Sequence, residues 1–264
     1  MPTDNRDMTL TFLGTGTSVG VPVIGCDCET CRSEDPRDRR TRSSIHLATP
    51  EANLIVDTGP DLRAQCLREG ISELDAVLYT HAHMDHVTGF DDLRRFSAGA
   101  DETIDVFARP ATMEALKRMF SFAFDGQNRY PGYIKPEENV IDGSFVIGES
   151  QITPIEVRHG KVDTVGFLFE RGGRKRLAYF PDCKVIEGGG LERLEGVEVL
   201  IIDALRHSSH PTHMNFEESL AAVEAIGPER AYFTHIADQV MHARDEPLLP
   251  KGVTIAYDGL QFAV

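Results

Sequence analysis

His81-Ala82-His83-Met84-Asp85-His86 places three imidazoles and one carboxylate within six residues. The preceding run, residues 74–80, is short, apolar and rich in β-forming residues, which predicts a buried strand that ends at the histidines. Residues two apart in extended backbone point to the same side, so His81 and His83 can bind one ion. Asp85 and His86 follow where the chain turns and can face a second ion. Four metal-binding side chains in so short a span favour a metal site over a solvated polar loop.

The chain length of 264 residues allows one large domain or two small ones. The hydrophobic residues, 41% of the chain, are enough to fill a sizeable core. We found no internal repeat or linker, so we predict a single domain over residues 1–264, with residues 1–8 flexible. No apolar run approaches the length of a membrane-spanning helix, and the polar start lacks the apolar core of a signal peptide. We therefore expect no membrane contact and a cytoplasmic location.

The charge balance is acidic, with 27 Lys and Arg against 42 Asp and Glu, a net charge of −15. Such a surface repels long polyanions, so no long nucleic acid is expected as a partner. A small phosphate ester remains compatible with it, because bound metal ions reverse the field locally. The one dense basic run lies at residues 37–42. It is most simply a solvated loop, although some of its members could meet phosphate; they are Arg37, Arg39, Arg40 and Arg42.

Three of the five cysteines form a second cluster, Cys26, Cys28 and Cys31. Thiolates at spacings of two and three suit three corners of a tetrahedral zinc site. A closed site needs a fourth ligand, which must come from elsewhere in the chain. A disulfide framework is not expected in a cytoplasmic enzyme, so structural zinc is predicted. The alternative is a set of small loop residues without a metal.

Further apolar runs end in polar residues of the same type. Strands are predicted at 52–56, 152–157, 176–180, 197–202 and 231–234, and they lead into Asp57, His159, Asp182, Asp203 and His235. Asp57 at its strand end is predicted to orient a ligand histidine. Helices are predicted at 62–69, with Asp61 as the cap, at 110–122 and at 216–226. This mixed order predicts an α/β (α+β) protein in which two mixed β-sheets pack together with helices outside.

Two smaller stretches each permit two interpretations. The glycines of residues 14–20 resemble a phosphate-binding loop, but no helix follows them, so tight turns are predicted instead. The aromatic stretch at 120–124 is predicted to lie in the core or a subunit interface rather than in a lid over the metals.

The candidate ligands divide into two sets with a shared carboxylate. His81, His83 and His159 would hold one ion, Asp85, His86 and His235 the other, and Asp182 would bridge them. Two ions about 3.5–4 Å apart can deprotonate a water held between them, and this metal-bridging hydroxide then attacks phosphorus. His159 and His235 could instead be ordinary core histidines. Any of His207, His210 and His213 could protonate the leaving oxygen, unless they belong to a polar loop before the next helix.

The pattern His81-x-His83-x-Asp85-His86, followed by His159, Asp182 and His235, resembles the metallo-β-lactamase superfamily. The resemblance implies an αββα sandwich. Residues 13–18, the cysteine cluster and His210-Pro211-Thr212-His213 are similar to the branch that contains phosphoribosyl 1,2-cyclic phosphate phosphodiesterase. The resemblance spans roughly residues 9–258.

The branch implies a hydrolase of small cyclic phosphodiesters with two divalent ions, manganese or zinc, in its active site. It also implies a homodimer and a separate structural zinc. By motif position, His213 matches the catalytic histidine of the branch, as general acid or phosphate clamp, and Asp85 joins it in the predicted catalytic set. The branch completes its structural zinc with a histidine where this chain has Asp238. A Cys3Asp site, a looser site, a water ligand and recruitment of His242 all remain open.

Three other functions compete with a small-diester phosphodiesterase. A tRNA 3′-processing endonuclease belongs to the same superfamily, but the acidic charge and the lack of a long basic arm disfavour it. A pyrroloquinoline quinone biosynthesis protein also shares the fold and the clustered cysteines. A metal-binding scaffold would be the non-enzyme alternative. A lactamase or thioesterase is disfavoured, because nothing in the sequence favours an acyl substrate.

Overall fold

Strand β1 begins the first of two sheets in the computed structural model, which describes residues 8–99, 102–127 and 130–264. This sheet has seven strands. In spatial order they are β15 (Gln261–Ala263), β1 (Thr9–Gly14), β2 (Ser44–Ala48), β3 (Asn53–Val56), β4 (Ala76–Leu78), β5 (Ile104–Ala108) and β6 (Pro136–Val140). The first four are antiparallel, and β3 to β6 are parallel. The carboxyl ends of β3, β4 and β5 therefore lie at one edge.

The second sheet has eight strands and follows the same plan. In spatial order they are β11 (Val185–Ile186), β8 (Ser150–His159), β9 (Val162–Arg171), β10 (Arg174–Phe180), β12 (Val199–Asp203), β13 (Arg230–Thr234) and β14 (Val253–Ile255), with β7 (Phe145–Ile147) also on β8. The strands β10, β12, β13 and β14 are parallel. Their carboxyl ends carry Asp182, Asp203 and His235 to one edge.

Seven α-helices and three short 3-10 helices are seen in the described residues. The α-helices are α1 (Leu62–Glu69), α2 (Met84–Val87), α3 (Pro110–Met119), α4 (Ser121–Phe124), α5 (Gly190–Leu194), α6 (Phe216–Ile226) and α7 (His242–Asp245); the 3-10 helices span Pro36–Asp38, Phe90–Ser97 and Glu246–Leu248. Across the described ranges, none of these helices has the length and apolar character that crossing a membrane requires.

Three apolar layers hold the fold together. Side chains such as Phe12, Leu47, Phe167 and Ile201 fill the space between the two sheets. A second layer joins the eight-stranded sheet to α6, and a third joins the seven-stranded sheet to α1 and α3. Each sheet is thus buried on both faces, which explains why its central strands read as continuous apolar runs. The predicted αββα sandwich is confirmed.

The predicted helix bounds are confirmed where the capping residues and the apolar spacing indicate the same helix. Helix α1 has the predicted bounds, as has α6, which begins with a capping box between Asn215 and Glu218. The prediction for Asp61 was wrong in detail. It occupies the capping position of α1, but its carboxylate accepts hydrogen bonds from the backbone N–H and guanidinium of Arg42 instead.

Two further predictions required correction. The helix predicted at 110–122 ends at Met119, because Phe120 leaves the helical region (φ −118°, ψ 41°) and its ring stacks on Phe90 at 4.6 Å. The aromatic stretch thereby contributes to the core. Of the start predicted to be flexible, residues 1–7 lie outside the described residues. Met8 is buried, and its carbonyl accepts a hydrogen bond from the Val264 N–H.

Candidate active site and metal centres

The loop after β4 carries the first ligands. His81 and His86 are buried, whereas His83 lies exposed at the mouth of the site. The loop is packed so closely that a Cβ atom on Gly59 would stand 2.2 Å from the Asp85 carbonyl oxygen. Only glycine permits this approach, which fixes the backbone of the motif against the turn after β3.

Asp57 at the end of β3 fixes the same loop through its side chain. Its carboxylate accepts hydrogen bonds from the Thr80 N–H at 2.9 Å and the Thr80 hydroxyl at 2.8 Å, and it contacts His86 Nδ1 at 2.8 Å. Its backbone is left-handed (φ 63°), a strained conformation that the contacts compensate. Because Nδ1 of His86 is engaged, Nε2 is the nitrogen that faces the site. This is the geometry that the predicted orienting role requires.

The three histidines that were predicted to bind the first ion lie close together in the structure. His83 Nδ1 lies 2.9 Å from His81 Nε2 and 3.3 Å from His159 Nε2. His159 comes from the end of β8, and its Nδ1 lies 3.0 Å from the Thr212 carbonyl oxygen, which orients the ring. Together with Asp182, these side chains place one ligand atom each within 4.8 Å of one another.

The second set lies beside the first, and Asp182 stands between them. Its Oδ1 is 3.1 Å from His86 Nε2 and 3.3 Å from His235 Nε2. Its Oδ2 faces the other set, 3.5 Å from His159 Nε2 and 3.9 Å from His81 Nε2. Asp85 Oδ2 completes the second set, 3.3 Å from His86 Nε2. One oxygen of Asp182 thus faces each set.

Several buried atoms of this site have no hydrogen-bond partner among the residues that the structure describes. They are Nε2 of His86, both ring nitrogens of His235 and Oδ1 of Asp182. Leaving such atoms unpaired costs about 1–3 kcal/mol each. Ligand atoms around an ion with bonds of about 2.0–2.2 Å stand roughly 3.0–3.6 Å apart, and most of the contacts above fall in that range. The residues present therefore fit two divalent ions.

The protonation states of two ligand histidines and of the carboxylate between the sets suit this arrangement. Burial holds the pKa of His81 well below its usual value and lowers that of His159, so both imidazoles are neutral, the form that binds metal. Although burial alone would raise the pKa of Asp182, the surrounding His235 and His86 hold it well below its usual value. The carboxylate between the two sets is therefore ionised.

His213 is the histidine of its loop that reaches the site. Its ring stacks on His235 with centroids 4.6 Å apart, and its Nδ1 lies 2.7 Å from Asp203 Oδ2. His207 instead pairs with Asp245 at 3.2 Å, and His210 contacts Thr212. The geometry therefore separates three histidines that the spacing left equivalent.

Asp203 is a member of the site to which the sequence reasoning gave no role. It was recognised only as a polar strand end, yet it is buried and accepts a hydrogen bond from the Cys183 N–H at 2.9 Å. The spacing of residues 207–213 did not separate His213 from the other two histidines, and only the family resemblance did. Its pairing with Asp203 was not predicted. Burial raises the pKa of Asp203 and lowers that of His213, so the pair competes for one proton.

The ligands open into a cleft of about 290 Å³. Besides the histidines and carboxylates, its walls include Ser18, Lys161 and Thr212. Lys161 lies in the turn between β8 and β9 and was not predicted; a cation in a hairpin turn gives no signal of its own in sequence. A cleft of this size suits a small substrate.

The cysteine cluster forms a separate group. Cys26 Sγ and Cys28 Sγ lie 3.6 and 3.7 Å from Asp238 Oδ2, and Cys31 joins them within 4.8 Å. Thiolates around zinc at about 2.3 Å stand roughly 3.8 Å apart, so the four side chains fit a tetrahedral ion. His242 does not belong to this group. Its Nδ1 lies 3.4 Å from Arg40, and its N–H donates to Asp38.

Removing one cysteine should unload this site without touching the cleft. We expect Cys26→Ser to lose one zinc per chain and to lower the free energy of unfolding by about 4 kcal/mol at free zinc a thousand times above Kd. Metal analysis and thermal unfolding would measure this. Asp238→His should retain the zinc, whereas Asp238→Ala should lose it. A zinc content unchanged in Cys26→Ser would contradict the assignment.

The ligands are divided between the two sheets. The loop after β4 of the seven-stranded sheet supplies one half, and the ends of β8, β10 and β13 of the other sheet supply His159, Asp182 and His235. A hydrogen bond from the Val165 N–H to the Thr80 carbonyl joins the sheets directly behind His81. The site therefore lies at the common edge of the sandwich.

Comparison with known proteins supports the family. The model of the β-lactamase superfamily domain matches residues 52–236. The octanoyltransferase of Porphyromonas gingivalis is 33% identical over 259 residues, which cover 96% of this chain and 51% of that protein. This chain thus spans about half the length of that relative. Coenzyme PQQ synthesis protein B of Methylobacterium radiotolerans is 28% identical over 322 residues, covering 97% and 100%.

A solved structure is also similar over nearly the whole chain. It is a diphosphatase from the PhnP family, with 36% identity, a TM-score of 0.89 and coverage of 97% of both chains. The resemblance inferred from the histidine motif, the opening loop and the cysteines is thereby confirmed. The chain belongs to the β-lactamase superfamily and, within it, is similar to a PhnP-family enzyme.

Proposed function

We propose that this protein is a metal-dependent phosphodiesterase that hydrolyses small cyclic phosphates or nucleotide-like diesters. The observation that carries the proposal is the position of Asp182, whose two oxygens face the two ligand sets separately. A divalent pair held there, of manganese or zinc, would supply an activated water and a Lewis acid for the phosphoryl oxygen. His81, His83 and His159 would bind one ion, and Asp85, His86 and His235 the other.

The protein's own groups supply positioning and a proton. His213 stacks beside His235, and Asp203 holds its Nδ1, so Nε2 is free to give a proton to the leaving oxygen. Asp57 and the Thr212 carbonyl fix the rings of His86 and His159. Lys161 at the mouth of the cleft can attract the phosphate through its charge. The cleft of about 290 Å³ has a size that suits one small ester.

The assay loads the purified protein with Mn²⁺ or Zn²⁺. Its substrates are a ribose cyclic phosphate, 2′,3′-cyclic nucleotides, a nitrophenyl phosphodiester and a precursor tRNA. We expect turnover of the small diesters that is lost with EDTA and restored by metal. Cleavage of the tRNA alone would favour the endonuclease, and oxidation chemistry would favour the quinone-cofactor role. The proposal would be refuted if none of the small diesters were hydrolysed in a metal-dependent reaction.

A second candidate function is the hydrolysis of a diphosphate bond. It is favoured by the similar PhnP-family structure, which is described as a diphosphatase. The P–O–P bond of a diphosphate is a phosphoric anhydride that offers the same kind of phosphoryl centre with a phosphate monoester as leaving group, so the same residues would act on it. Adding dinucleoside diphosphates to the assay separates the two candidates. The homodimer remains a proposal, which sedimentation of the purified protein would test.

A further inference from the structure

His235 differs from the other buried ligand histidines in how its ring is held. In those three, Nδ1 contacts a hydrogen-bonding group at 2.8 to 3.0 Å: the Thr80 hydroxyl for His81, the Asp57 carboxylate for His86 and the Thr212 carbonyl for His159. Nδ1 of His235 has no hydrogen-bond partner among the described residues. A metal-binding histidine normally depends on such a partner for the orientation of its ring. The orientation of His235 must therefore come from its backbone and from the ring packed against it.

The backbone of His235 is held on both sides. The residue lies in the left-handed region (φ 58°), which costs a non-glycine residue about 1–3 kcal/mol and persists only where neighbouring contacts enforce it. Before it, the Thr234 carbonyl accepts a hydrogen bond from the Ala204 N–H at 3.0 Å. After it, the Ile236 N–H donates to the Thr15 carbonyl at 2.9 Å. With both flanking peptide groups bound, the direction in which the His235 side chain leaves the backbone is fixed.

The loop that binds Ile236 is the glycine-rich stretch after β1. A second hydrogen bond joins the two, from the Thr17 N–H to the Ile236 carbonyl at 3.1 Å. On its other side the loop packs closely on residues 40–42, where a Cβ atom on Gly14 would stand 1.9 Å from the Arg42 carbonyl oxygen. Glycine permits this close approach. The loop thus connects residues 40–42 with the residue that follows a metal ligand.

Asp258 fixes this loop through Thr15. Its side chain is 6% exposed, and its Oδ1 accepts hydrogen bonds from the N–H and the hydroxyl of Thr15 at 2.9 and 2.8 Å. Its Oδ2 accepts two more from the N–H and the hydroxyl of Thr41 at 2.8 and 2.6 Å, and lies 3.4 Å from Arg68 Nη1. The buried Arg40 donates from Nη1 to the Thr15 hydroxyl at 2.9 Å. Thr15 is therefore held between a carboxylate and a guanidinium.

We propose that Asp258 and Thr15 are positioning residues for His235, and that they set the affinity of the second active-site ion. Asp258 holds Thr15, and the Thr15 carbonyl holds the Ile236 N–H. This bond keeps the His235 ring directed toward Asp182, 3.3 Å from its Oδ1. The inference rests on the two-ion site of the proposed function and concerns the binding of an ion, not of the substrate. The glycine loop thereby acquires a role in metal binding.

The test titrates protein freed of its active-site metal with Mn²⁺, and the unbound Mn²⁺ is measured by electron paramagnetic resonance. Carboxylate and imidazole ligands bind Mn²⁺ whereas thiolates favour softer ions, so the titration reports on the active site. His83→Ala and Asp85→Ala identify the binding steps of the first and the second ion. We expect Asp258→Asn to weaken the second step about 10–100-fold, the usual effect of losing a group that orients a ligand. The first step should stay nearly unchanged.

Thr15 provides a second pair of variants that leave the Asp258 carboxylate in place. Thr15→Val removes the hydroxyl that contacts Asp258 and Arg40, and it should weaken the second step in the same direction. Thr15→Ser keeps the hydroxyl and should bind both ions as the wild type does. This comparison separates the hydrogen bonds of Thr15 from its volume. If Asp258→Asn does not fold, the Thr15 variants decide the outcome.

The control for a general loss of stability is Glu198→Gln. Glu198 pairs with Arg174 and Arg176 just before β12, at the end of the sheet opposite to the ligands. This variant should lower Tm and leave both binding steps unchanged. The inference would be overturned if Asp258→Asn and Thr15→Val bound both ions as the wild type does, or if they weakened both steps equally. A selectively weakened second step in a protein that hydrolyses no diester would refute the phosphodiesterase and leave the positioning role standing.

Discussion

Replacing Asp182 with alanine is expected to lower kcat/KM for the small diesters by at least about 10³-fold. Its carboxylate is the one group of the described residues whose oxygens face both ligand sets, 3.1 Å from His86 Nε2 on one side and 3.5 Å from His159 Nε2 on the other. Without it, Asp85 is the one carboxylate left among the predicted ligands, and it lies beside the second set only, 3.3 Å from His86 Nε2. We therefore expect both ions to bind more weakly, which metal analysis after gel filtration would measure alongside the rate.

The matched control is Asp142→Ala. Asp142 is an exposed carboxylate in the loop before β7, and its replacement changes the net charge by the same amount. This variant should keep its metal content and its activity. An Asp182→Ala protein that retained two active-site ions and near-normal turnover would contradict the bridging assignment.

Replacing His213 with alanine should reduce kcat by about 10²–10⁴-fold while both active-site ions stay bound. The imidazole lines the cleft and is positioned by Asp203. One of its nitrogens also lies within 4.8 Å of ligand atoms of Asp182 and His235, but each of the two ligand sets has three other members. The loss should be smaller for substrates with a good leaving group such as nitrophenolate, because such a group needs no proton. Comparing nitrophenyl and alkyl esters measures this difference directly.

Asp203→Asn tests whether the pair acts as a unit. We expect Asp203→Asn to lower kcat as well. The double variant with His213→Ala should have a kcat only slightly below that of His213→Ala alone. His207→Ala provides the control from the same loop, because His207 pairs with Asp245 and not with Asp203. A metal-binding scaffold would behave differently, since its function would survive the loss of His213.

Much of this architecture follows from local sequence signals. The ligand residues could be found because each stands at the end of an apolar strand, and parallel strands bring their carboxyl ends to one edge. The helix at Phe216–Ile226 was predictable from its capping box and its apolar spacing. Strand β6 was missed, because Pro136–Val140 is a polar edge strand with one neighbour and no alternating pattern.

The features that local sequence does not predict depend on contacts between residues that are distant in the chain. Asp238 approaches the cysteines from more than 200 residues away, and only the family resemblance pointed to it. Asp61 occupies a capping position, yet Arg42 takes its carboxylate, which no helix-start rule anticipates. Strand β15 closes the seven-stranded sheet beside β1, a pairing between the two ends of the described chain. Such choices are made by packing, not by propensity.

The division of the ligands between the two sheets has a consequence for the life of the folded protein. Ions bound at the common edge would cross-link the two halves of the sandwich, so the sheets could not separate without releasing metal. By mass action, free metal at a hundred times Kd adds about 2.7 kcal/mol to stability for each such ion. The protein's resistance to unfolding, and hence to proteolysis, would then track the metal supply of its surroundings.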